Sequence, residues 1–133
     1  MTIQNITAFP LSFPIPKEHR VTLGIGCAIK RDCVLVKVET NDGIVGWGEA
    51  HAGRAPGAVA QLVNTTIRML VVGMDAFDVI GVWDRIYKRQ LASHGMGAAC
   101  AIAMSGLDMA LWDIRGKAAG WPLYKLLGGG TRP

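Results

Sequence analysis

The stretch "SGLDMALWDIRGKAAGWPLYKLLGGGTRP", residues 105–133, reads as a long helix, an exit loop and a glycine run. With the residues just before it, the helix is expected over 98–118. Ala101, Ile102, Met104, Leu107, Met109, Leu111, Trp112 and Ile114 cover more than one of its faces. Such a helix is sandwiched between two bodies. Its polar residues form two narrow stripes. Asp108 and Arg115, seven apart, share one azimuth. Asp113 and Lys117 lie nearly opposite and can pair across one turn. Gly120 and then Pro122 end the helix.

Two more helices are expected upstream. Pro56 suits a first turn. After it, Val59, Leu62, Val63, Thr66 and Leu70 form an apolar face, with Gln61, Asn64, Thr65 and Arg68 on the wet side. Gly73 stops this helix and Asp75 can cap the next, with Asp78 favouring its positive end. Ile80, Trp83, Ile86, Tyr87 and Leu91 recur at helical spacing in the second. Residues 93–97 form a break. One body against the long helix is therefore a hairpin with these two helices. A second body is not evident within 133 residues, so an outer apolar face is expected over 98–118, prone to association.

The first third of the chain reads as β. Residues 3–13 are extended, and Pro10, Pro14 and Pro16 confine them to an edge. Over 33–40, Val34, Val36 and Val38 alternate with Leu35, Lys37 and Glu39. "TNDG" supplies a turn, and residues 44–49 return as the partner strand. Gly46 and Gly48 leave room beside Trp47 for a neighbouring backbone. Between the first strand and this hairpin lies a long loop, 15–32, of the length that is usually functional. Three strands followed by three helices define an α+β fold.

Composition excludes several classes. Half the 133 residues are hydrophobic, enough for a real core. The 14 basic and 10 acidic residues leave a net charge of +4. The excess gathers at Arg115, Lys117, Lys125 and Arg132, with no basic block interleaved with aromatics. Nucleic acid is not an expected partner. Cys27, Cys33 and Cys100 are odd in number, lack a C-x-x-C pair and read as small core residues. No signal peptide and no apolar run of about 18 residues is evident, so a cytoplasmic protein without membrane contact is expected.

Chemistry is hard to find. No serine has a nucleophile-elbow setting, and His94 beside Ser93 reads as a loop residue at a helix end. Glu49 and His51 point the same way from a strand but are too few for a metal site. Asp108 and Asp113 lie on opposite helix faces and read as packing groups. Two loops with polar tips remain. One holds Lys17, Glu18, His19, Arg20 and Thr22; the other holds Glu49, His51 and Arg54. Such loops bind ligands on a scaffold.

Two stretches carry a resemblance: "TNDGIVGWGEA", residues 40–50, and "AIAMSGLDMALWDIRGKAAGWPLYKLLGG", residues 101–129. They resemble the N-terminal domain of the enolase superfamily, nearest its mandelate racemase/muconate lactonizing enzyme group. The resemblance runs from about Ile3 to the last residue and implies that residues 1–133 form one capping domain. It implies a three-stranded antiparallel sheet followed by a three-helix bundle, with a (β/α) barrel of about 250 residues expected to follow. It implies abstraction of the proton α to a carboxylate, with Mg²⁺ on barrel carboxylates and a barrel base. No catalytic or metal-binding residue is expected here, and the segment alone is expected to be inactive. The resemblance also implies that residues 15–26 and 49–54 cover the barrel mouth, with His19, Arg20, Thr22, Glu49, His51 and Arg54 as substrate-binding lid residues.

The leading expectation is the cap of a Mg²⁺-dependent racemase, cycloisomerase or acid-sugar dehydratase. Its partners would be a carboxylate small molecule, its own barrel and further copies in a homo-oligomer. The polar lid favours the dehydratase. The alternative is a stand-alone, non-catalytic binding or oligomerisation module. A reading frame continuing past Pro133 into a barrel separates the two.

Overall fold

The computed structural model describes residues 1–130. The end of the "GGTRP" segment and Arg132 of the basic tail lie outside the described residues. Strand β1 (Ile3–Pro14) pairs antiparallel with β4 (Lys30–Thr40), and β4 with β5 (Val45–His51), in the sheet order β1-β4-β5. Between β1 and β4 the chain makes a 3₁₀ turn (Lys17–His19) and a small ribbon of β2 (Thr22–Leu23) and β3 (Gly26–Cys27). The expected loop is thus a prolonged hairpin, and residues 30–32 already belong to β4.

Alternation sorts the sheet as expected. Ile6, Ala8, Val34, Val36, Val38 and Ala50 are buried under the helices. The tight turn after β4 closes on the Thr40 hydroxyl. It accepts from Ile44 N at 3.1 Å and donates to Ile44 O at 3.0 Å. Gly43 supplies the left-handed residue at φ 83°.

A first helical rod follows as α1 (Pro56–Leu62), a π turn (Val63–Ile67) and α2 (Arg68–Val71). The wider turn shifts the buried stripe by one residue. Val59, Leu62 and Val63 are inside as expected, but Ile67 and Val71 replace Thr66 and Leu70. Asn64, expected on the wet face, instead fastens the rod to β1. Its Oδ1 accepts from Ala8 N at 2.7 Å and its Nδ2 donates to Ala8 O at 3.0 Å.

Helix α3 (Val79–Ile86) runs into a second π turn (Tyr87–Leu91) and then α4 (Ala92–His94). Its cap is Asp78, whose Oδ1 accepts from Gly81 N at 2.9 Å. Asp75, the expected cap, instead accepts from Phe77 N. The buried stripe is Val79, Val82 and Ile86, set against Met104, Leu107 and Leu111. Trp83 and Tyr87 stack on each other outside, and Ile80 is 81% exposed. Two adjacent apolar stripes competed here. The narrow β-branched one fits the shallow gap above the long helix.

That helix is α5 (Gly97–Ala119), ended by Gly120 at φ 67°; a short α6 (Leu123–Leu126) follows. Both bodies of its sandwich lie within the described residues. Sheet strands β4 and β5 cover one side, and α1 and α3 another. The expected outer apolar face is therefore largely absent. Cys100, Ala103, Met104, Leu107, Ala110, Leu111 and Ile114 are all buried, and Met109 alone among the large apolar residues is substantially exposed. Contact with β5 is backbone to backbone. A Cβ on Gly46 would overlap the Ala110 carbonyl oxygen and sit 2.6 Å from Ile114 Cγ1; one on Gly48 would overlap the Gly106 carbonyl oxygen. The space that Gly46 and Gly48 leave beside Trp47 is filled by this approach.

Asp113 and Lys117 pair as expected, at 2.6 Å, and serve the sheet edge. Asp113 accepts from Trp47 N at 2.9 Å, and Lys117 donates to Val45 O at 2.8 Å. Side chains thereby occupy edge groups of β5 that would otherwise template another strand. α5 is long and apolar enough on average to cross a membrane, which no uninterrupted apolar run had suggested. Its burial beneath the sheet marks it as a core helix. Cys27 is exposed, against the expectation of three core cysteines; Cys100 is buried and Cys33 half-buried.

Candidate functional site

The sheet decides where the two polar loops go. Leu11, Cys33 and His51 form one cross-strand row. Strand β1 leaves the sheet at Pro14, β4 enters at Lys30 and β5 ends at His51. Antiparallel pairing therefore projects residues 15–29 and 52–55 from the same end. The hairpin turn 41–44 and the N-terminus occupy the other. The early turns of α5 also reach the loop end, where Ile102 Cδ1 would lie 3.6 Å from a Cβ on Gly53.

The first loop is held by its own backbone. Ile15 N donates to Ile29 O and Ala28 N to Val21 O, both at 2.9 Å. His19, Arg20 and Thr22 are all exposed. Arg20 spends its Nε on Ile15 O at 3.0 Å, which fixes the stem of its guanidinium. At the hairpin base, the Ser12 hydroxyl and the Lys30 ammonium hold Asp32 below the usual carboxylate range. An apolar component was missed. Val21, Leu23, Ile25 and Ile29 are all exposed, Ile25 by 73%. With Cys27 they occupy every second position from 21 to 29, a strand signal hidden by the intervening glycines.

The second loop leaves β5 beyond Glu49 and His51, which share the outer sheet face and are both exposed. Glu49 lies two rows below the tip, opposite Leu35. Residues 52–55 make a tight turn, closed by Ala55 N to Ala52 O at 2.9 Å. Both central residues have positive φ, Gly53 at 55° and Arg54 at 62°. A side-chain-bearing residue costs about 1 kcal/mol or more in that region. His51 Nδ1 accepts from Gly53 N at 3.0 Å. That bond uses the Nδ1 lone pair, which leaves Nε2 as the ring nitrogen turned away from the turn backbone. Among the described residues, no hydrogen bond or ion pair joins the two loops.

The described residues do not fit a resident metal ion. No group of three His, Cys, Asp or Glu side chains converges, and Glu49 with His51 offers only two. Asp108 sits half-buried between α3 and α5 beside Trp83, Met104 and Leu111. Burial pushes its carboxyl above the usual range. Asp113 is engaged at the sheet edge. His94 ends α4, where its Nδ1 lies 3.1 Å from Arg89 O.

An antiparallel three-stranded sheet covered by helices, with two loops at one end, defines the N-terminal domain type of the enolase superfamily. Comparison with known proteins agrees. The profile described as "Mandelate racemase / muconate lactonizing enzyme, N-terminal domain" matches residues 6–128, and the chain belongs to that family. It is 36% identical over 132 residues to the arabinonate dehydratase of Saccharolobus solfataricus, covering 98% of this chain and 35% of that protein. A crystal structure of an enolase superfamily member from Polaromonas sp. JS666 superposes with a TM-score of 0.93 at 55% identity, over 99% of this chain and 34% of that one. A Streptomyces coelicolor racemase with bound magnesium superposes with a TM-score of 0.83 at 29% identity, over 96% and 36%. The chain thus spans about a quarter to a third of the length of the curated relatives it matches.

Proposed function

We propose that this chain is the substrate-capping domain of a Mg²⁺-dependent enzyme that abstracts the proton α to a carboxylate, and that the enzyme is an acid-sugar dehydratase. In this reading a barrel outside these residues supplies the base and holds the ion. The domain closes residues 15–29 and 49–54 over the barrel mouth. Its work is to exclude water and grip the far end of the substrate, which strengthens electrostatics within the site. The single observation that carries the reading is the sheet topology, which puts both loops at one end. Two further features support it. The loops bear His19, Arg20, Thr22, His51 and Arg54, suited to hydroxyls and carboxylates, and the first also bears an uncovered apolar ribbon. The dehydratase subtype rests on the kinship with arabinonate dehydratase and with D-galactonate and D-mannonate dehydratase relatives.

In the same proposal, Ile80, Trp83 and Tyr87 on α3 provide an apolar face for the barrel or for a second copy, and the enzyme is cytoplasmic. The test is a screen of the full-length protein against aldonic and aldaric acids with Mg²⁺, read as loss of water and as α-proton exchange in deuterium oxide. We expect one or a few acids to be dehydrated. Replacing residues 17–28 by a short turn should raise KM and lower kcat without changing Mg²⁺ affinity. Absence of both dehydration and exchange across the library would refute the proposal.

A further inference from the structure

We propose that Asp32 is a positioning residue for the first loop: with Ser12 and Lys30 it sets how residues 15–29 stand off the sheet, and it acts on the reaction through that loop without touching the ligand. This rests on the capping role proposed above and adds to it a residue that lies in neither loop. Strands β1 and β4 outrun β5. The last residue of β5, His51, pairs with Cys33, and the pairs Ser12–Asp32, Phe13–Arg31 and Pro14–Lys30 have no third strand beside them. Residues 15–29 are tied together by their own bonds, Ile15 N to Ile29 O and Ala28 N to Val21 O, both at 2.9 Å. The loop therefore reaches the rest of the domain through a two-stranded stem of three residue pairs. A two-stranded ribbon is only marginally stable in water, so side chains must hold this one.

The first row of the stem supplies the hold. On β4 the residues facing the helices run Val38, Val36, Val34 and then Asp32, so a carboxylate continues the apolar row just past the core. On β1, Ala8 turns its N–H and C=O to Asn64 at the free edge. Ser12, four residues on, turns its backbone the same way. Ser12–Asp32 is thus a non-hydrogen-bonded pair, the kind whose side chains stand closest. Of the two groups that keep Asp32 ionised, the Ser12 hydroxyl has the larger effect; Lys30, with Nζ 2.9 Å from Oδ2, comes second. Lys30 is 46% exposed and its ion pair counts for little in water, whereas the Asp32 side chain is only 10% exposed. Asp32 Oδ1 is buried and accepts from no donor among the described residues. A polar cluster with one acceptor left over is held but not locked. The stem can change its angle without breaking the sheet, and Asp32 decides how readily it does so.

The test uses the full-length protein with Asp32→Ala, Asp32→Asn, Ser12→Ala, Ser12→Thr and Lys30→Met. Amide hydrogen exchange is read by mass spectrometry over residues 12–32 and 34–40, beside Tm, Mg²⁺ affinity and, on any acid the enzyme consumes, KM and kcat. In Asp32→Ala, residues 12–32 should exchange at least about tenfold faster, while 34–40 keep the wild-type rate. Asp32→Asn and Ser12→Ala should each give about threefold. Ser12→Thr, which keeps the hydroxyl, and Lys30→Met should give less than about twofold. In Asp32→Ala, KM should rise at least about fivefold and kcat change less than about twofold, since a loosened loop still closes over bound acid at a cost in affinity. Its Tm should stay within about 2 °C of the wild type, with Mg²⁺ affinity unchanged. A wild-type exchange rate over 12–32 in Asp32→Ala overturns the proposal. So does faster exchange that spreads equally into 34–40 with a lower Tm, which would make Asp32 a support of the fold. Faster exchange with KM and kcat both unchanged overturns it too. A wild type that consumes no acid sinks the enzymatic reading; the exchange rates then decide alone whether Asp32 holds the loop.

Discussion

Gly106→Ala is the sharpest probe of how this domain is held together. Gly106 lies where α5 crosses the sheet. A Cβ there would sit 2.8 Å from Ala50 Cβ, 2.9 Å from Ala50 N and 2.9 Å from Val36 Cγ2. Carbon atoms in ordinary contact stand about 3.5–4.0 Å apart, so the helix must retreat by roughly 1 Å. None of the three neighbours is the end of a flexible side chain. Overpacking of this kind costs about 3 kcal/mol. Replacing a helical glycine by alanine returns about 1 kcal/mol. The net expectation is a loss of about 2 kcal/mol, or a Tm lower by about 6–10 °C for a chain of this size. Urea denaturation followed by far-UV circular dichroism and tryptophan fluorescence measures it. Gly57→Ala in α1 is the control, because a Cβ there meets nothing within 4 Å; it should stabilise by up to about 1 kcal/mol. In the double variant with Ala50→Gly, coupling of at least about 0.5 kcal/mol should appear. A Gly106→Ala protein as stable as the wild type would refute the backbone-contact account of the α5–sheet seam.

Three further outcomes are expected. Asn64→Ala removes both bonds to Ala8 and should cost about 1–3 kcal/mol in the same denaturation assay, since buried backbone groups are left unpaired. Asp113→Ala frees the edge amide of Trp47 and the Lys117 ammonium; light scattering should show concentration-dependent association that the parent lacks. Asp108 has a folded-state pKa raised by burial, so its ionised form penalises the native state above that value and its neutral form does not. Asp108→Asn should therefore unfold at a higher temperature than the wild type at pH 7, and the gap should close as pH falls through the folded pKa towards the unfolded one.

Much of the fold was legible locally. Val34, Val36 and Val38 alternate, and "TNDG" closes a turn, because strand period and turn sterics act over a few residues. Gly46 and Gly48 announced a close neighbour, although not which one. Failures came where an element could bury either of two adjacent stripes. In α3 the expected stripe of Ile80, Trp83, Ile86, Tyr87 and Leu91 held only at Ile86, which is buried with Val79 and Val82 against Met104 and Leu107. In α1–α2 a π turn moved the stripe from Thr66 and Leu70 to Ile67 and Val71, a shift that no period of 3.6 could predict. Asn64 looked wet until the Ala8 backbone came within reach.

The candidate site divides the same way. His19, Arg20, Thr22, Glu49, His51 and Arg54 could be picked out as polar loop residues, and the long stretches around them pointed to the family. Sequence by itself determined the element types, the family, and the lack of a local metal-ligand or nucleophile motif, since these depend on residue identity and short-range order. Only tertiary structure decided that the two loops leave the same end of the sheet, because that follows from pairing of strands distant in the chain, such as Ile3 with Thr40. It alone showed the left-handed backbone of Arg54 and the bond from Gly53 N to His51 Nδ1. A dihedral angle and a hydrogen bond are properties of the folded turn, and many turns could be built from the same residues.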